Sequence, residues 1–294
     1  MWMYFLYKLA RWLSLVLSLP TAYRVGVFLT WFKFCFARDE RKAVRENLSF
    51  ILKTEKPLKI SKYPRLVYAN FGRYLVDFFR SEKITREYIG KYIKIENLHY
   101  IDEALKRGKG VIGLTAHIGN WELSAQILAQ LGYKVNAIAL THTVSKIDKL
   151  FNQQREVAGV KVISVGVSVR QCFAALKKNE IVGILGDRDF SGENGIFVDF
   201  LGKKLLAPRG PAVLSLRTGA AIVPGFVIRD KKDQRFFTYT FEKPIYPQRT
   251  LDEEADIRRI TESFISVIEK YILKNPEQWF MFREFSRPEK IEIL

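Results

Sequence analysis

The segment from residue 110 to residue 132 reads GVIGLTAHIGNWELSAQILAQLG. Its first six residues form a short apolar run, which is typical of a buried strand. Gly119 permits a sharp turn, and Asn120 is a residue type that caps helix N-termini. The apolar periodicity that follows predicts a helix over residues 121–131, ended by Gly132. Strand, turn and helix in this order predict the first half of a βαβ unit.

The same alternation of strand and helix continues downstream. Strand-like runs and helical patterns follow each other over residues 134–140, 145–158, 161–165, 169–178 and 181–185. This alternation predicts an α/β fold with a mainly parallel central sheet flanked by helices. The remaining pattern predicts a hairpin that turns at Gly202, a helix, two strands and a long helix, over residues 195–206, 209–218, 221–228, 236–241 and 251–273.

Upstream of this region the patterns are helical. Residues 38–48, 62–80 and 97–107 predict amphipathic helices, the last with Asn97 as its N-cap and Gly108 as its stop. The sequence contains no linker rich in glycine, serine or proline, and no internal repeat. We therefore expect one domain over residues 37–294, preceded by a distinct segment over residues 1–36.

Residues 1–36 have the composition of a segment that meets a membrane. They contain eleven aromatic residues, four basic residues and no acidic residue. The longest uncharged run, residues 12–23, includes Pro20 and is shorter than the roughly 20 apolar residues of a spanning helix. Two helices broken near Pro20 are predicted, with aromatic rings at the lipid headgroups. A pair of apolar helices packed on the domain is the alternative, and a single tilted span also stays open.

The net charge predicts an anionic partner. The chain of 294 residues has a formal charge of +17, and residues 1–110 carry 22 lysines and arginines against 10 acidic residues. Such a charge suits nucleic acid, an acidic protein or an acidic membrane surface. The adjoining apolar N-terminus favours the membrane and argues against nucleic acid. A hydrophobic content of 48% excludes intrinsic disorder.

Cysteines and histidines are few. Cys35 and Cys172 stand at no metal-binding spacing, so we expect free thiols in a reducing compartment. A histidine-based metal site would need nearly all three histidines, His99, His117 and His142. No metal is therefore predicted.

The chemistry is predicted to centre on His117 and Glu122. His117 follows the carboxyl end of a buried strand, where open α/β sheets bind their ligands. Glu122 falls in the first turn of the next helix, and the turn at Gly119 is expected to bring its carboxylate back to His117. A carboxylate that holds one imidazole nitrogen leaves the other to act as a base. The alternative is that His117 and Glu122 form a purely structural pair at the strand end.

The residues HIGNWE at 117–122 resemble the H-x4-D/E motif of the lysophospholipid acyltransferase superfamily. More narrowly, they resemble the HxGNWE form of the bacterial lipid A biosynthesis acyltransferases, the lauroyl and myristoyl transferases. Four other stretches resemble landmarks of that family in the same order: RKAVRENL at 41–48, GDRDFSGENGIFVDFLG at 186–202, TGAAIVP at 218–224 and NPEQW at 275–279. The resemblance therefore extends over nearly the whole chain.

The resemblance implies a glycerol-3-phosphate acyltransferase-like fold and a membrane-associated O-acyltransferase. His117 would be the general base on a hydroxyl of a lipid A-type glycolipid precursor, and Glu122 would orient it. The co-substrate would be an acyl thioester of acyl carrier protein or of coenzyme A, with no other cofactor. The expected location is the cytoplasmic face of the inner membrane.

Further residues are expected to bind substrate. Backbone N–H groups of Gly119, Asn120 and Trp121 are candidates for stabilising the thioester oxyanion. Asp187, Arg188 and Asp189 follow a strand end and are expected at the rim of the same cleft, with Arg188 on an acceptor phosphate. The resemblance places Arg155 near the acceptor, and Thr141 follows the next strand at the same edge of the sheet.

Other functions stay open from the sequence. The acceptor could instead be another lysophospholipid or a phosphatidylinositol mannoside. A hydrolase would use water at the same pair of residues, but the sequence has no G-x-S-x-G elbow and neither cysteine lies near a histidine. A non-enzymatic binder of lipid surfaces or nucleic acid would leave the H-x4-E segment unexplained.

Overall fold

The computed structural model of the protein describes residues 2–53, 61–164, 168–188 and 195–285. Within these ranges the strands are β1 (Ile93–Glu96), β2 (Val111–Thr115), β3 (Val135–Ala139), β4 (Lys161–Ser164), β5 (Ile181–Leu185), β6 (Gly195–Phe200), β7 (Lys203–Pro208), β8 (Ala221–Arg229) and β9 (Phe237–Phe241). Seven of them form one sheet in the order β1-β9-β8-β2-β5-β3-β4, and β6 and β7 form an antiparallel hairpin.

The central sheet confirms the predicted α/β class. All neighbouring strands are parallel except β8 and β9, which are antiparallel. The carboxyl ends of β2, β3, β4, β5 and β8 therefore lie at one edge of the sheet. Such an edge collects the loops that follow the strands, and ligand sites of open α/β sheets form there.

The helices of the described residues surround this sheet. They are α1 (Trp2–Val16), α2 (Leu19–Phe36), α3 (Arg38–Ile51), α4 (Lys62–Phe79), α5 (Arg86–Tyr92), α6 (His99–Lys106), α7 (Trp121–Gln130), α8 (Ser145–Val157), α9 (Ser168–Lys177), α10 (Gly210–Thr218) and α11 (Glu253–Lys274), with short 3₁₀ turns at Ser81–Lys83 and Pro276–Gln278. Each helix and strand predicted from the sequence is present, with ends shifted by only a few residues. Strand β1 and helix α5 were not predicted.

One predicted cap is wrong. Helix α6 begins at His99 and its N-cap is Leu98, whereas Asn97 has a left-handed φ of 60°. The Asn97 side-chain amide donates to the carbonyl of Phe241 at 3.2 Å. Asn97 therefore turns the chain out of β1 and ties it to β9, because asparagine tolerates the left-handed region better than most residues.

Apolar side chains fill both faces of the sheet. On one face, Leu114 and Ile222 belong to a buried cluster with Phe264 and Ile268 of α11. On the other face, Val111 and Val223 cluster with Ile127 of α7. A strand buried on both faces needs a nearly continuous apolar run, which is the pattern that predicted β2 and β8.

Helices α1 and α2 separate at residues 17–18, close to Pro20, as the sequence predicts. Gly26 of α2 and Gly72 of α4 face each other so closely that a Cβ on Gly72 would lie 2.5 Å from the carbonyl oxygen of Gly26. Helix α2 is therefore packed backbone to backbone on α4. Its other face exposes large apolar side chains, including Phe28, which is 61% exposed. None of the described helices meets the length and hydropathy of a membrane span.

Candidate active site

His117 and Asp187 lie side by side at the sheet edge. Strands β2 and β5 are parallel neighbours in which Thr115 pairs with Leu185, so the residues that follow them are adjacent. The His117 ring nitrogen Nδ1 lies 2.8 Å from Oδ1 of Asp187, and the His117 backbone N–H donates to Oδ2 at 3.1 Å. The carboxylate thus fixes both the backbone and the ring of His117.

The surroundings favour neutral His117 beside ionised Asp187. Burial lowers the pKa of His117, the Arg188 guanidinium lowers it further, and Asp187 offsets part of this effect. Burial raises the pKa of Asp187, but His117 and Arg188 outweigh burial and hold that pKa well below its usual range. An imidazole that stays neutral at neutral pH suits a general base.

Glu122 bonds Arg155 rather than His117. Glu122 lies in the first turn of α7, and Arg155 lies in the last turn of α8. The guanidinium donates from Nε to Oε2 at 2.9 Å and from Nη2 to Oε1 at 2.6 Å, in a bidentate pair whose side chains are only 15% and 11% exposed. The expected His117–Glu122 pair is therefore corrected to two separate pairs, since Asp187 holds the imidazole from the neighbouring strand.

The loop between His117 and α7 is clamped by neighbouring backbone. Gly119 has a φ of +62°, and its N–H donates to the carbonyl of Gln278 at 2.9 Å. The Asn120 N–H donates to the carbonyl of Val227 at 2.8 Å. Because both N–H groups are bonded to carbonyls, the expected oxyanion contacts from Gly119 and Asn120 are corrected.

Asn120 is a buried structural residue. Its Oδ1 accepts from the N–H of Leu123 at 3.1 Å, which confirms the predicted N-cap of α7. Its Nδ2 donates to Oδ2 of Asp77 on α4 at 3.1 Å. Asp77 also accepts from the Tyr23 hydroxyl at 2.6 Å and forms a buried salt bridge with Arg229. This network ties the loop to α2, α4 and β8, and its members are too far apart in sequence to signal it.

One cavity of about 800 Å³ opens beside His117. The predicted site residues that line it are His117, Trp121, Glu122, Arg155 and Arg188. The Trp121 ring lies 5.1 Å from the His117 ring and stacks on Tyr74 at 4.2 Å between centroids. Tyr74, on α4, is a cavity residue that the sequence analysis missed.

Small and apolar residues of the sheet form part of the cavity wall. Gly113 of β2 pairs with Gly183 of β5, and Gly183 also pairs with Ala137 of β3. All three line the cavity, together with Leu128 of α7. The small residues leave open the space that side chains of the sheet would otherwise fill. This space suits an unbranched apolar group.

Two other described residues that were predicted to bind substrate have different positions relative to the cavity. Arg188 donates to the carbonyl of Phe280 and lies 3.9 Å from Asp187, so its guanidinium is already anchored at the cavity wall. Thr141 is exposed in the loop after β3 and does not line the cavity. Asp189 lies outside the described residues.

Comparisons with known proteins identify the family of this chain. The model of the family "Bacterial lipid A biosynthesis acyltransferase" matches residues 1–285. A phosphatidylinositol mannoside acyltransferase of Mycobacterium tuberculosis is 25% identical over 281 residues, which cover 93% of this chain and 85% of that protein. A lipid A biosynthesis lauroyltransferase of Escherichia coli K12 is 24% identical over 285 residues, which cover 95% and 90%.

A structure search finds the 1-acyl-sn-glycerophosphate acyltransferase PlsC of Thermotoga maritima. Its TM-score is 0.39 at 13% identity, over 86% of this chain and 97% of that one. The family match covers nearly the whole chain and confirms the resemblance carried by the HIGNWE segment. The chain belongs to the bacterial lipid A biosynthesis acyltransferase family and is an acyltransferase.

Proposed function

We propose that this acyltransferase moves a fatty acyl chain from a thioester to a hydroxyl of a membrane lipid, with His117 as the general base. The observation that carries the proposal is the His117–Asp187 pair beside a cavity whose lining is mostly apolar. A carboxylate on Nδ1 sets the tautomer in which Nε2 accepts a proton. The donor is a thioester of acyl carrier protein or coenzyme A.

The proposed reaction is a direct transfer. Nε2 of His117 removes the proton of the acceptor hydroxyl as the hydroxyl oxygen attacks the thioester carbonyl carbon. The tetrahedral intermediate collapses, the C–S bond breaks, and the thiolate takes the proton back from the imidazolium. The products are an ester and a free thiol. The negative charge of Asp187 stabilises the positive charge that the imidazolium acquires in the transition state.

The cationic residues are proposed to bind the substrate. Arg188 is held at the cavity wall by Phe280, where its guanidinium can contact an acceptor phosphate. Glu122 fixes Arg155, which also lines the cavity, through two hydrogen bonds. We therefore assign Glu122 a positioning role through Arg155.

The apolar part of the cavity is proposed to hold the acyl chain. The small residues Gly113, Gly183 and Ala137 leave space for the chain. Burying each methylene there stabilises binding by about 0.8 kcal/mol. Chain length is then set by the depth that these small residues leave open.

The proposed acceptor is a lipid A-type glycolipid precursor. A phosphatidylinositol mannoside is the second candidate, because the relative from Mycobacterium tuberculosis carries that name. Both are membrane lipids. Exposed aromatic side chains on α2, among them Trp31 at 52% exposed, support attachment to a membrane surface. We propose the cytoplasmic face of the inner membrane as the location.

Purified protein tests the proposal directly. Labelled acyl thioester is incubated with each acceptor, and the ester product is identified by mass spectrometry. His117→Ala should lower the rate by about 10²–10⁴-fold, the usual contribution of a general base. The control is His99→Ala, an exposed histidine on α6. Full activity of His117→Ala, or product from neither acceptor, would contradict the proposal.

A further inference from the structure

A second cavity lies next to α4 and shares no lining residue with the active-site cavity. It has a volume of about 580 Å³ and is lined by one face of α2, by α4 and by the loop between β8 and β9. Its lining residues are Pro20, Tyr23, Arg24, Val27, Phe28, Trp31, Arg73, Asp233, Gln234 and Arg235. We call it the α2 cavity. The active-site cavity includes Tyr74, so neighbouring residues of α4 face the two cavities.

The α2 cavity is positively charged. Asp233 is its acidic residue, and Arg235 neutralises it in a salt bridge of 2.7 Å. Among the described residues, neither Arg24 nor Arg73 forms a salt bridge; Arg73 donates to the neutral side chain of Asn70 at 3.0 Å. Two guanidinium groups without a salt bridge therefore line one concave site.

The surroundings of Arg73 make its unpaired charge costly. Burial lowers the pKa of Arg73 and Arg229 lowers it further, whereas Tyr23 and Asp77 offset part of this effect. Pro20 lies in the first turn of α2, which contains no acidic residue, so the positive end of the helix dipole also points to this region. A half-buried guanidinium near a second cation gains most from an anionic ligand.

The rim of the α2 cavity is apolar and aromatic. Phe28 and Trp31 are 61% and 52% exposed, and their rings stack at 6.2 Å between centroids. The neighbouring Phe32 and Phe36 are exposed as well. A ligand of this site therefore carries an anionic group next to an apolar surface. Aromatic rings beside arginines are typical of the membrane interface.

We infer that the α2 cavity binds the phosphate of an anionic membrane phospholipid between Arg24 and Arg73, with Phe28 and Trp31 toward its acyl chains. This inference rests on the membrane attachment in the proposed function. The bound phospholipid is distinct from the acyl acceptor, because the α2 cavity shares no lining residue with the cavity beside His117. It anchors the protein in one orientation on an acidic bilayer.

Vesicle binding tests the inference. Full-length protein is sedimented with vesicles of phosphatidylcholine alone and of phosphatidylcholine mixed with phosphatidylglycerol. At about 1 kcal/mol for each basic residue near the surface, Arg24→Gln/Arg73→Gln should lose about 30-fold in affinity for the mixed vesicles. Binding to phosphatidylcholine alone should stay close to that of the unmodified protein, since the aromatic rim is kept.

The matched control is Lys177→Gln/Lys178→Gln. These exposed lysines at the end of α9 lie at the opposite edge of the sheet, and their loss removes the same charge. Equal losses in the two double variants would mean attraction by net charge alone and would overturn the inference. So would unchanged affinity of Arg24→Gln/Arg73→Gln.

Two further measurements distinguish a failure of this inference from misfolding of a variant and from a failure of the proposed function. Arg24→Gln alone changes an exposed side chain and should lose about 5-fold, so an effect remains measurable if the double variant fails to fold. Transfer activity in neutral detergent micelles should be unchanged in Arg24→Gln and in Arg24→Gln/Arg73→Gln. A lost activity there would mean that the arginines serve the acceptor and would overturn the inference. Inactive unmodified protein with intact vesicle binding would contradict only the proposed transfer reaction.

Discussion

Nδ1 of His117 lies 2.8 Å from Oδ1 of Asp187, although the two residues are 70 positions apart in the chain. Their strands are parallel neighbours, and the Gly186 N–H donates to the Thr115 carbonyl at 2.8 Å just before the pair. The sheet itself therefore sets the distance between base and carboxylate. A pair built on two strand ends is held more rigidly than one built across a flexible loop.

Replacing Asp187 by asparagine should lower kcat/KM and move its pH dependence. The amide keeps the shape but removes the charge that stabilises the imidazolium, so we expect a loss of at least about 10²-fold. Asp187 raises the pKa of His117, so its removal lowers that pKa. The acid limb of kcat/KM should move to lower pH. A limb that stays in place would show that Asp187 does not act on the base.

Replacing Arg188 by glutamine should move the same limb in the opposite direction. Arg188 lowers the pKa of His117, so without its charge His117 takes up a proton at higher pH. The acid limb should therefore rise, and KM for a phosphorylated acceptor should rise as well if Arg188 binds the phosphate. Arg170→Gln, an exposed arginine on α9, is the control. A downward shift would contradict this electrostatic assignment.

Local sequence patterns predicted most of the site residues. They could not predict which of these residues form pairs across the fold. The apolar run before His117 and the turn at Gly119 predicted a strand end followed by a helix, and Asn120 caps that helix. Asp187 was expected near the same cleft but not as the partner of His117. Nothing in one sequence states that β5, rather than β3, is the neighbour of β2.

The same limit explains the misplaced role of Glu122. Only four residues lie between Glu122 and His117, so a turn at Gly119 was expected to bring the two side chains together. The loop is instead fixed by Val227 and Gln278, which come from distant parts of the chain. Tyr74 and Asp77 were missed for a related reason, since their helix was predicted but the surface it would contact was not.

Gly119→Ala should damage both stability and activity. A Cβ at this position would lie 2.1 Å from the Val227 carbonyl oxygen, and the left-handed φ adds strain. Gly108→Ala is the matched control, because its φ of +68° is similar but nothing lies within 4 Å of the added Cβ. The control should lose about 1–2 kcal/mol in the free energy of unfolding and keep its activity. Equal losses of stability in the two variants would contradict the clamped loop.

Gly183→Val should shorten the acyl chain that the enzyme accepts. The Cβ itself meets only ordinary contacts, the nearest atom being the Asn136 carbonyl oxygen at 3.7 Å, so the side chain can enter the cavity. Thioesters of increasing length compete in one assay, and the products are measured by mass spectrometry. Each displaced methylene should cost about 4-fold in kcat/KM for the long chains. An equal loss at every length would show that the acyl chain lies elsewhere.

A double-mutant cycle on Glu122 and Arg155 tests whether Glu122 acts through Arg155. The two side chains form a bidentate pair that is largely buried. Removing one partner leaves the other charge uncompensated, so Glu122→Gln and Arg155→Gln should each lower the free energy of unfolding, by up to about 3 kcal/mol. The double variant should lose clearly less than the two single losses combined, with a coupling energy of about 0.5–3 kcal/mol.

The same cycle has a kinetic arm. If Glu122 positions Arg155, both single variants should lower kcat/KM by similar factors. The kcat/KM of the double variant should be no lower than that of the less active single variant. The acid limb of kcat/KM should stay in place in all three variants, because Asp187 and not Glu122 bonds the imidazole. If Glu122 instead acted directly on His117, Glu122→Gln would move that limb to lower pH and Arg155→Gln would not. Additive losses in the double variant would likewise rule out the pair as the functional unit.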